Sequence, residues 1–221
     1  MRKRCAMRRT MTIALTATAL LGLSACGGSE PLTQEQSREA LLTQEDFPLD
    51  GFTAGTVEEG ASDSEATDAL ADFPGADQFS DECTDALESV ENVGSKFTTQ
   101  SSVDFTGDDP SATLIGPAEV TVVVASLEEG DNPLEAVNAL SSACDEVKIE
   151  EQGMELTINF NEVDGDAQGA KISLSMGGQA MEMVIAGRED GGNYAVVTGT
   201  GVSDEELMEV LDAQEEKIAD L

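Results

Sequence analysis

The sequence predicts an α+β domain in which an antiparallel β-sheet is covered on one face by amphipathic helices. Three observations support this class. Between residues 154 and 200, apolar and polar side chains alternate with the period of a β-strand. Turn signals that contain glycine divide this stretch into four segments. Segments with apolar residues at helical spacing lie before and after it.

The four alternating segments predict an antiparallel four-strand meander, because short glycine-containing turns connect neighbouring antiparallel strands. The turns are expected at 164–166, 177–178 and 190–193, and an earlier strand is expected at 120–125, where valine recurs at every second position. The inward-facing positions of the meander are Leu156, Ile158 and Phe160, then Ile172, Leu174 and Met176, then Met181, Met183 and Ile185, and finally Tyr194, Val196 and Thr198.

Amphipathic helices are predicted at 80–91, 131–145 and 204–220. In each of them apolar residues recur every three or four positions, which places these residues on one face of a helix. Capping-box patterns, in which a hydroxyl residue precedes Glu or Gln by three positions, begin at Ser203 and at Thr33. We therefore expect the three helices to cover one face of the sheet.

The first 25 residues have the features of a secretory signal peptide. Five basic residues precede an apolar run at 11–23, and about 13 residues are too few to span a bilayer core, which needs about 20. The four residues Leu23-Ser24-Ala25-Cys26 resemble the lipobox of bacterial lipoproteins. In that family the cysteine, here Cys26, receives a diacylglycerol and becomes the new N-terminus. The alternative is an ordinary secretory signal followed by an unrelated cysteine.

The lipobox predicts three parts: a leader at 1–25, lipidated Cys26 with a short tether at 26–32, and a single extracytoplasmic domain at 33–221. Two or three acyl chains such as palmitate anchor a protein stably to a membrane. We therefore expect the protein on the outer face of the cytoplasmic membrane, with the lipid as its attachment.

The composition is strongly acidic, with 45 acidic and 11 basic residues. Five of the basic residues and none of the acidic ones lie in the leader, so the mature chain keeps 6 basic residues against 45 acidic ones, a formal charge of −39. Nucleic acid is excluded as a partner because phosphate binding requires Lys and Arg, and anionic lipid headgroups are repelled. The large number of acidic residues is explained by their contribution to solubility. The alternative interpretation is that they bind calcium or a cationic ligand.

Two cysteines remain once Cys5 leaves with the leader and Cys26 is acylated. Outside the cytoplasm such a pair usually forms a disulfide, and both Cys83 and Cys144 lie on the apolar faces of predicted helices. The bridge would close a loop of about 62 residues and contribute roughly 4 kcal/mol. Two buried free thiols are the alternative, and two cysteines without histidine are too few ligands for a zinc site.

The chain contains no histidine, which excludes Ser-His-Asp and Cys-His catalysis. We expect no enzymatic activity, no cofactor and no metal. Segment 164–169 begins like an EF-hand loop, but Ser175 stands where that loop requires Glu, so a hairpin turn is the preferred interpretation. Met176, Met181 and Met183 share one face and are candidates for lining a flexible apolar pocket, with ordinary core packing as the alternative.

Two segments resemble known envelope proteins. The Leu-Leu-Thr-x-x-Asp-Phe-Pro pattern at 41–48, followed by Gly51-Phe52, resembles the opening of many actinobacterial envelope lipoproteins. The helix that ends at Cys144, the paired strands and the final helix resemble the extracellular sensor domain of PknH-like receptor kinases and of free lipoproteins. That resemblance implies a sheet packed against helices, a cleft that binds a ligand, and no enzymatic activity. Those domains commonly carry two disulfides and nearby Trp, whereas this sequence has one remaining cysteine pair and no Trp.

These observations predict a lipid-anchored cell-envelope lipoprotein whose non-catalytic domain binds a ligand or acts as a sensor. The partner is an unidentified small ligand, lipid or envelope protein. The alternative function is an envelope lipid carrier whose sheet encloses a large apolar cavity. A deep apolar cavity would favour the carrier, whereas a filled core beside a polar cleft would favour the binding domain.

Overall fold

The computed structural model of the protein describes residues 30–60, 78–91, 97–113, 116–127, 132–144, 146–151 and 154–221. The predicted leader, Cys26 and most of the tether lie outside these residues. Within them the helices are α1 (Gln34–Ala40), α2 (Asp81–Glu91), α3 (Pro133–Ala143) and α4 (Asp204–Ala219). The strands are β1 (Phe52–Ala54), β2 (Glu58–Glu59), β3 (Thr99–Gly107), β4 (Glu119–Ser126), β5 (Val147–Glu151), β6 (Met154–Glu162), β7 (Gln168–Met176), β8 (Gln179–Asp190) and β9 (Asn193–Thr200).

The strands form one antiparallel sheet in the order β1-β3-β4-β9-β8-β7-β6-β5, and β2 also pairs with β3. Strands β6 to β9 are neighbours in sequence and in space. The predicted four-strand meander and the α+β class are therefore confirmed. The hairpins at Gly177-Gly178 and Gly191-Gly192 have both glycines at positive φ, as a two-residue type I′ turn requires. The sequence pattern did not predict the edge strand β5.

The helices lie on both faces of the sheet, which differs from the expectation that they cover one face. In β8, Val184 and Ala186 belong to the cluster that contains residues of α1 and α4, whereas Ile185 packs against the cluster of α2 and α3. Successive side chains of a strand point to opposite faces, so the two clusters lie on opposite sides. The alternation is hard to interpret from sequence because both faces of the central strands carry apolar residues, as Tyr194 and Ala195 do in β9.

Helices α1 and α4 cover β3, β4, β8 and β9 on the first face. Leu207, Val210 and Leu211 of α4 are fully buried in the same cluster as the valines of β4. Gln214 is buried among them, donates from Nε2 to the carbonyl of Ala40 (2.7 Å), and accepts the N–H of Leu42 at Oε1 (3.1 Å). This buried polar side chain therefore has both of its groups paired and connects α4 to the end of α1.

Both helices on this face begin with the predicted capping boxes. The Thr33 hydroxyl accepts the N–H of Gln36, whose side chain accepts the N–H of Thr33. Ser203 and Glu206 make the same reciprocal pair at the start of α4. Such pairs satisfy N–H groups that a helix start would otherwise leave without an acceptor, so the sequence fixes where both helices begin.

Helix α3 covers β6 and β7 on the second face, and α2 packs against α3, to which it is joined by a disulfide between Cys83 and Cys144. The two Cα atoms are 4.7 Å apart, and both cysteines are buried. The predicted pairing is therefore present. The bridge spans 61 positions of sequence, and β3 and β4 lie within the loop that it closes.

The chain reaches α1 through a segment that buried polar side chains hold in place. The N–H of Leu32 donates to Ser126 Oγ and to Asn193 Oδ1, each at 3.0 Å. Asn193 Nδ2 donates to the carbonyl of Glu30 at 3.2 Å, and both Ser126 and Asn193 are buried. Residues 30–32 are thus fixed at the end of the sheet where β4 ends and β9 begins.

We expect reduction of the disulfide to lower the free energy of unfolding by about 4 kcal/mol, because the bridge restricts the unfolded chain. Thermal unfolding followed by circular dichroism, with and without reductant, measures the loss. A Cys83→Ala/Cys144→Ala variant is the control, since it should start from the lower stability and not respond to reductant. An unchanged melting temperature of the fully reduced protein would contradict the prediction.

Candidate functional site

An open cleft of about 730 Å³ lies between the start of α1, the end of α4 and the β8–β9 hairpin. We call it the α1–α4 cleft. Its lining combines polar residues with an apolar wall. The polar residues are Gln36, Arg188, Asp190, Asn193, Glu215 and Glu216. The apolar residues are Leu32, Ala195, Ile218, Ala219 and Leu221.

Arg188 is the one cation among the lining residues. Its Nη1 donates to Asp212 Oδ1 (2.7 Å) and to Glu215 Oε2 (2.5 Å), and its Nη2 donates to Asp166 Oδ1 (2.6 Å). The side chain is only 18% exposed, and charge-assisted bonds of this kind are stronger than neutral ones. Arg188 therefore connects β8 both to α4 and to the turn between β6 and β7.

The three carboxylates keep Arg188 charged. Burial alone would lower the pKa of the Arg188 guanidinium, but the hydrogen bonds to Asp212, Glu215 and Asp166 outweigh burial and raise that pKa. The hydrogen bond from Arg188 in turn lowers the pKa of Asp166. Since one guanidinium faces three carboxylates, this part of the cleft keeps a net negative charge.

The carboxyl end of α4 adds to this negative potential. The last carbonyls of a helix carry the negative end of its dipole, and Glu215 and Glu216 line the cleft on the same turn. Ile218 and Ala219 supply apolar surface next to them. This arrangement suits a ligand that combines a positive charge with an aliphatic part.

A smaller cleft of about 420 Å³ adjoins the same end of α4, and Asp46 and Lys217 line it together. Lys217 Nζ donates to Asp46 Oδ2, which also accepts the hydroxyl of Thr43 at 2.7 Å. The hydrogen bond from Lys217, followed by that from Thr43, lowers the pKa of Asp46 to about 2. This ion pair fixes the chain after α1 against the last turns of α4.

The predicted site residues are spread over the molecule. Cys26, the predicted lipidation site, lies outside the described residues, and the Cys83–Cys144 bridge lies on the face opposite the α1–α4 cleft. Met176, Met181 and Met183 share a face, in register with apolar residues of the neighbouring strands. Met176 is 50% exposed, and none of the three methionines lines either cleft. Their assignment to a pocket stays a prediction.

Sequence reasoning did not identify the residues that build the α1–α4 cleft. Arg188 could have been recognised in the sequence, because it is one of only 6 basic residues after position 25 and interrupts the alternating pattern of a strand. Asn193 was expected only as a turn residue, yet it is buried and binds both Glu30 and Leu32. Those contacts join residues more than 150 positions apart, so no local pattern predicts them.

The described part of the chain holds neither a metal-binding cluster nor a membrane-spanning helix. No group of three or more His, Cys, Asp or Glu side chains there is arranged to hold a metal ion. No helix among the same residues combines the length and the apolar composition needed to cross a bilayer. The EF-hand-like segment 164–169 forms the β6–β7 turn and the first residues of β7.

The fold is shared with a solved structure. No family model matches the chain, and no curated protein matches it in sequence. The crystal structure of the extracellular domain of PknH from Mycobacterium tuberculosis is similar to it, with a TM-score of 0.51 and 12% sequence identity over 88% of this chain and 100% of that chain. The resemblance expected from the sequence is therefore confirmed at the level of the fold.

We expect Asp46→Asn to make the fold less sensitive to acid. The pKa of Asp46 is about 2 in the folded protein against an ordinary 3.8, so its stabilising effect is complete above about pH 4 and is lost as the pH falls toward 2. Because the Asp46 side chain is 46% exposed, solvent screening limits the effect to about 1 kcal/mol.

Urea unfolding at several pH values checks this expectation. The stability difference between wild type and Asp46→Asn should shrink as the pH falls through the acidic range. Glu209→Gln, on the exposed side of α4, is the control. A wild-type advantage that stays constant down to about pH 2 would count against the assigned role of the Asp46–Lys217 pair.

Proposed function

We propose that this protein is a lipid-anchored, non-catalytic binding domain of sensor type on the outer face of the cytoplasmic membrane, and that the α1–α4 cleft is its binding site. The observation that carries the proposal is the cleft itself, because it joins charged groups to an apolar wall. Ligand sites in general combine an apolar lining with a few placed polar groups.

Three features support the location. The basic and apolar leader ends in Leu23-Ser24-Ala25-Cys26, the pattern that directs lipidation in bacterial lipoproteins. The Cys83–Cys144 disulfide is typical of proteins that fold outside the reducing cytoplasm. The solved structure with the same fold is an extracellular domain.

A binding function fits the site chemistry better than catalysis does. The sequence has no histidine, and the ionisable groups that line the cleft are carboxylates and one arginine. Arg188 is engaged by three carboxylates and is not a general base, because its pKa is raised further from an already high value. These groups can hold a ligand by charge but offer no activated nucleophile.

The lipid-carrier alternative receives less support from the cleft. A carrier needs a deep cavity with apolar walls, whereas charged and amide side chains line much of the α1–α4 cleft and the cleft is open. The buried residues on both faces of the sheet pack into continuous clusters. We therefore favour a ligand held in a surface cleft over a lipid enclosed in the core.

We expect Ala219→Trp to reduce binding by filling the cleft. Ala219 is exposed on the last turn of α4 and lines the cleft, so a large side chain there occupies ligand space without disturbing the core. Native mass spectrometry of the protein extracted from its own membrane should show excess mass in wild type and less in this variant. Ala180→Trp, exposed at the start of β8, is the matched control and should retain the excess mass.

Two results would contradict this assignment. Equal excess mass in wild type and both variants would place the ligand elsewhere on the molecule. Absence of excess mass from wild type and control alike, after extraction under mild conditions, would argue against a resident ligand.

We expect Cys26→Ala to release the protein from the membrane, because the substituted residue lacks the thiol that receives the lipid. Fractionation should move the protein from the membrane to the soluble fraction, and intact-mass analysis should show the loss of the lipid mass. Cys5→Ala, within the leader, is the control and should leave the distribution unchanged. Membrane retention of Cys26→Ala would indicate an uncleaved leader as the anchor.

A further inference from the structure

The N-terminal segment ties the membrane anchor to one particular end of the sheet. Glu30 and Leu32 are hydrogen-bonded to Asn193, and Leu32 also binds Ser126. Ser126 and Asn193 are opposite each other at the end of the β4–β9 pair. Their side chains also bond to each other at 2.6 Å, so the attachment point is a connected, buried network rather than one exposed contact.

The tether between this network and the lipid is short. Only Gly27, Gly28 and Ser29 separate Cys26 from Glu30, and four backbone steps reach at most about 14 Å. A domain attached in this way cannot move its Asn193 end far from the bilayer surface.

The opposite end of the sheet is much farther away. Strand β8 runs from Asp190, opposite Asn193, to Gln179 at the β7–β8 hairpin. Its 12 residues extend for about 37 Å at about 3.4 Å per step. If the domain stands upright, the Gln179 end of β8 is therefore farther from the membrane than the Asp190 end. The difference is much larger than the length of the tether.

Electrostatics favour the upright orientation. The mature chain carries 45 acidic residues against 6 basic ones, so an anionic bilayer surface repels the whole domain. The tether holds only the Asn193 end against this repulsion. The free end at the β7–β8 hairpin is repelled when it comes within about 8 Å of the surface, the range over which physiological salt leaves charges unscreened, so the domain does not lie flat on the bilayer.

We propose that the Asn193 end of the sheet is the membrane-facing surface of the domain, so that the α1–α4 cleft opens beside the phospholipid headgroups. This inference rests on the proposed lipid anchor. Leu32 and Asn193 belong both to the docked segment and to the cleft lining, which places the cleft at the anchored end. A ligand of this cleft is met at the bilayer surface, and the β7–β8 hairpin with its exposed Met176 projects away from the membrane.

Energy transfer to the membrane tests this orientation on the full lipidated protein. Two variants each carry the same donor dye on one added cysteine. Thr98→Cys places the dye beside the first residue of β3, and Ala180→Cys places it beside the β7–β8 turn; both positions are exposed. The acceptor is linked to headgroups in vesicles of phosphatidylcholine with a minor share of phosphatidylglycerol. We expect several-fold more transfer from position 98 than from position 180.

A lengthened tether is the matched control. An insertion of about 20 Gly and Ser residues before Glu30 adds a root-mean-square span of about 25 Å and should remove most of the difference between the two positions. Equal transfer from both positions in the normal protein would overturn the proposed orientation, because the domain would then lie flat.

Flotation of the same labelled samples with the vesicles distinguishes a failure of the proposed orientation from a failure of the proposed lipid anchor. Protein that floats with the vesicles but shows equal transfer is anchored by lipid and oriented otherwise, so only the present inference fails. Protein that does not float at all, although it has been purified from membranes, refutes the lipid anchor and the orientation together.

Discussion

The pairing of β4 with β9 is the constraint on which the rest of this structure depends. Eight residues of each strand pair, from Glu119 opposite Thr200 to Ser126 opposite Asn193. This pairing joins the strands of the N-terminal half to the C-terminal meander, although even its nearest partners, Ser126 and Asn193, are 67 positions apart in sequence. No tight turn sets its register, so the register follows from burial. The opposed pair Val122 and Val197 must face the helices α1 and α4.

Burial on both sides of the central strands follows from this arrangement. Where a central strand is covered by helices on both faces, it needs small or apolar side chains at the covered positions, and Gly187 shows how closely the layers approach. A Cβ atom at position 187 would lie 2.8 Å from Leu134 Cδ2 of α3 and 2.8 Å from the carbonyl oxygen of Ala195. Glycine is therefore required there by packing, because real Cβ atoms do not come so close to other heavy atoms.

Local signals explain what the sequence predicted well. The meander depends on alternation and on Gly-containing turns such as Gly177-Gly178, and the helix starts depend on side chains three positions apart, such as Ser203 and Glu206. The disulfide followed from counting cysteines and from helical spacing. The two-sided packing and the α1–α4 cleft depend on contacts between distant segments. The role of Asn193 does too, because its partners Glu30 and Leu32 lie at the other end of the sequence. No short-range pattern distinguishes a turn asparagine that faces solvent from one that binds a segment 163 positions away.

The α1–α4 cleft and the segment before α1 share the side chain of Asn193, so a ligand in the cleft and the docking of that segment affect each other. Asn193 lines the cleft and also binds Glu30 and Leu32, which lie in and next to the predicted tether. A ligand that competes for the amide of Asn193 or displaces Leu32 changes the free energy of docking this segment, and docking changes the affinity for the ligand by the same factor. Arg188 limits how the cleft can respond, because its bonds to Asp212 and Glu215 fix α4 to β8. The segment at 30–32 is thus the part of the cleft wall that the bonds of Arg188 do not hold, and under the proposed lipid anchor it is the part nearest the membrane.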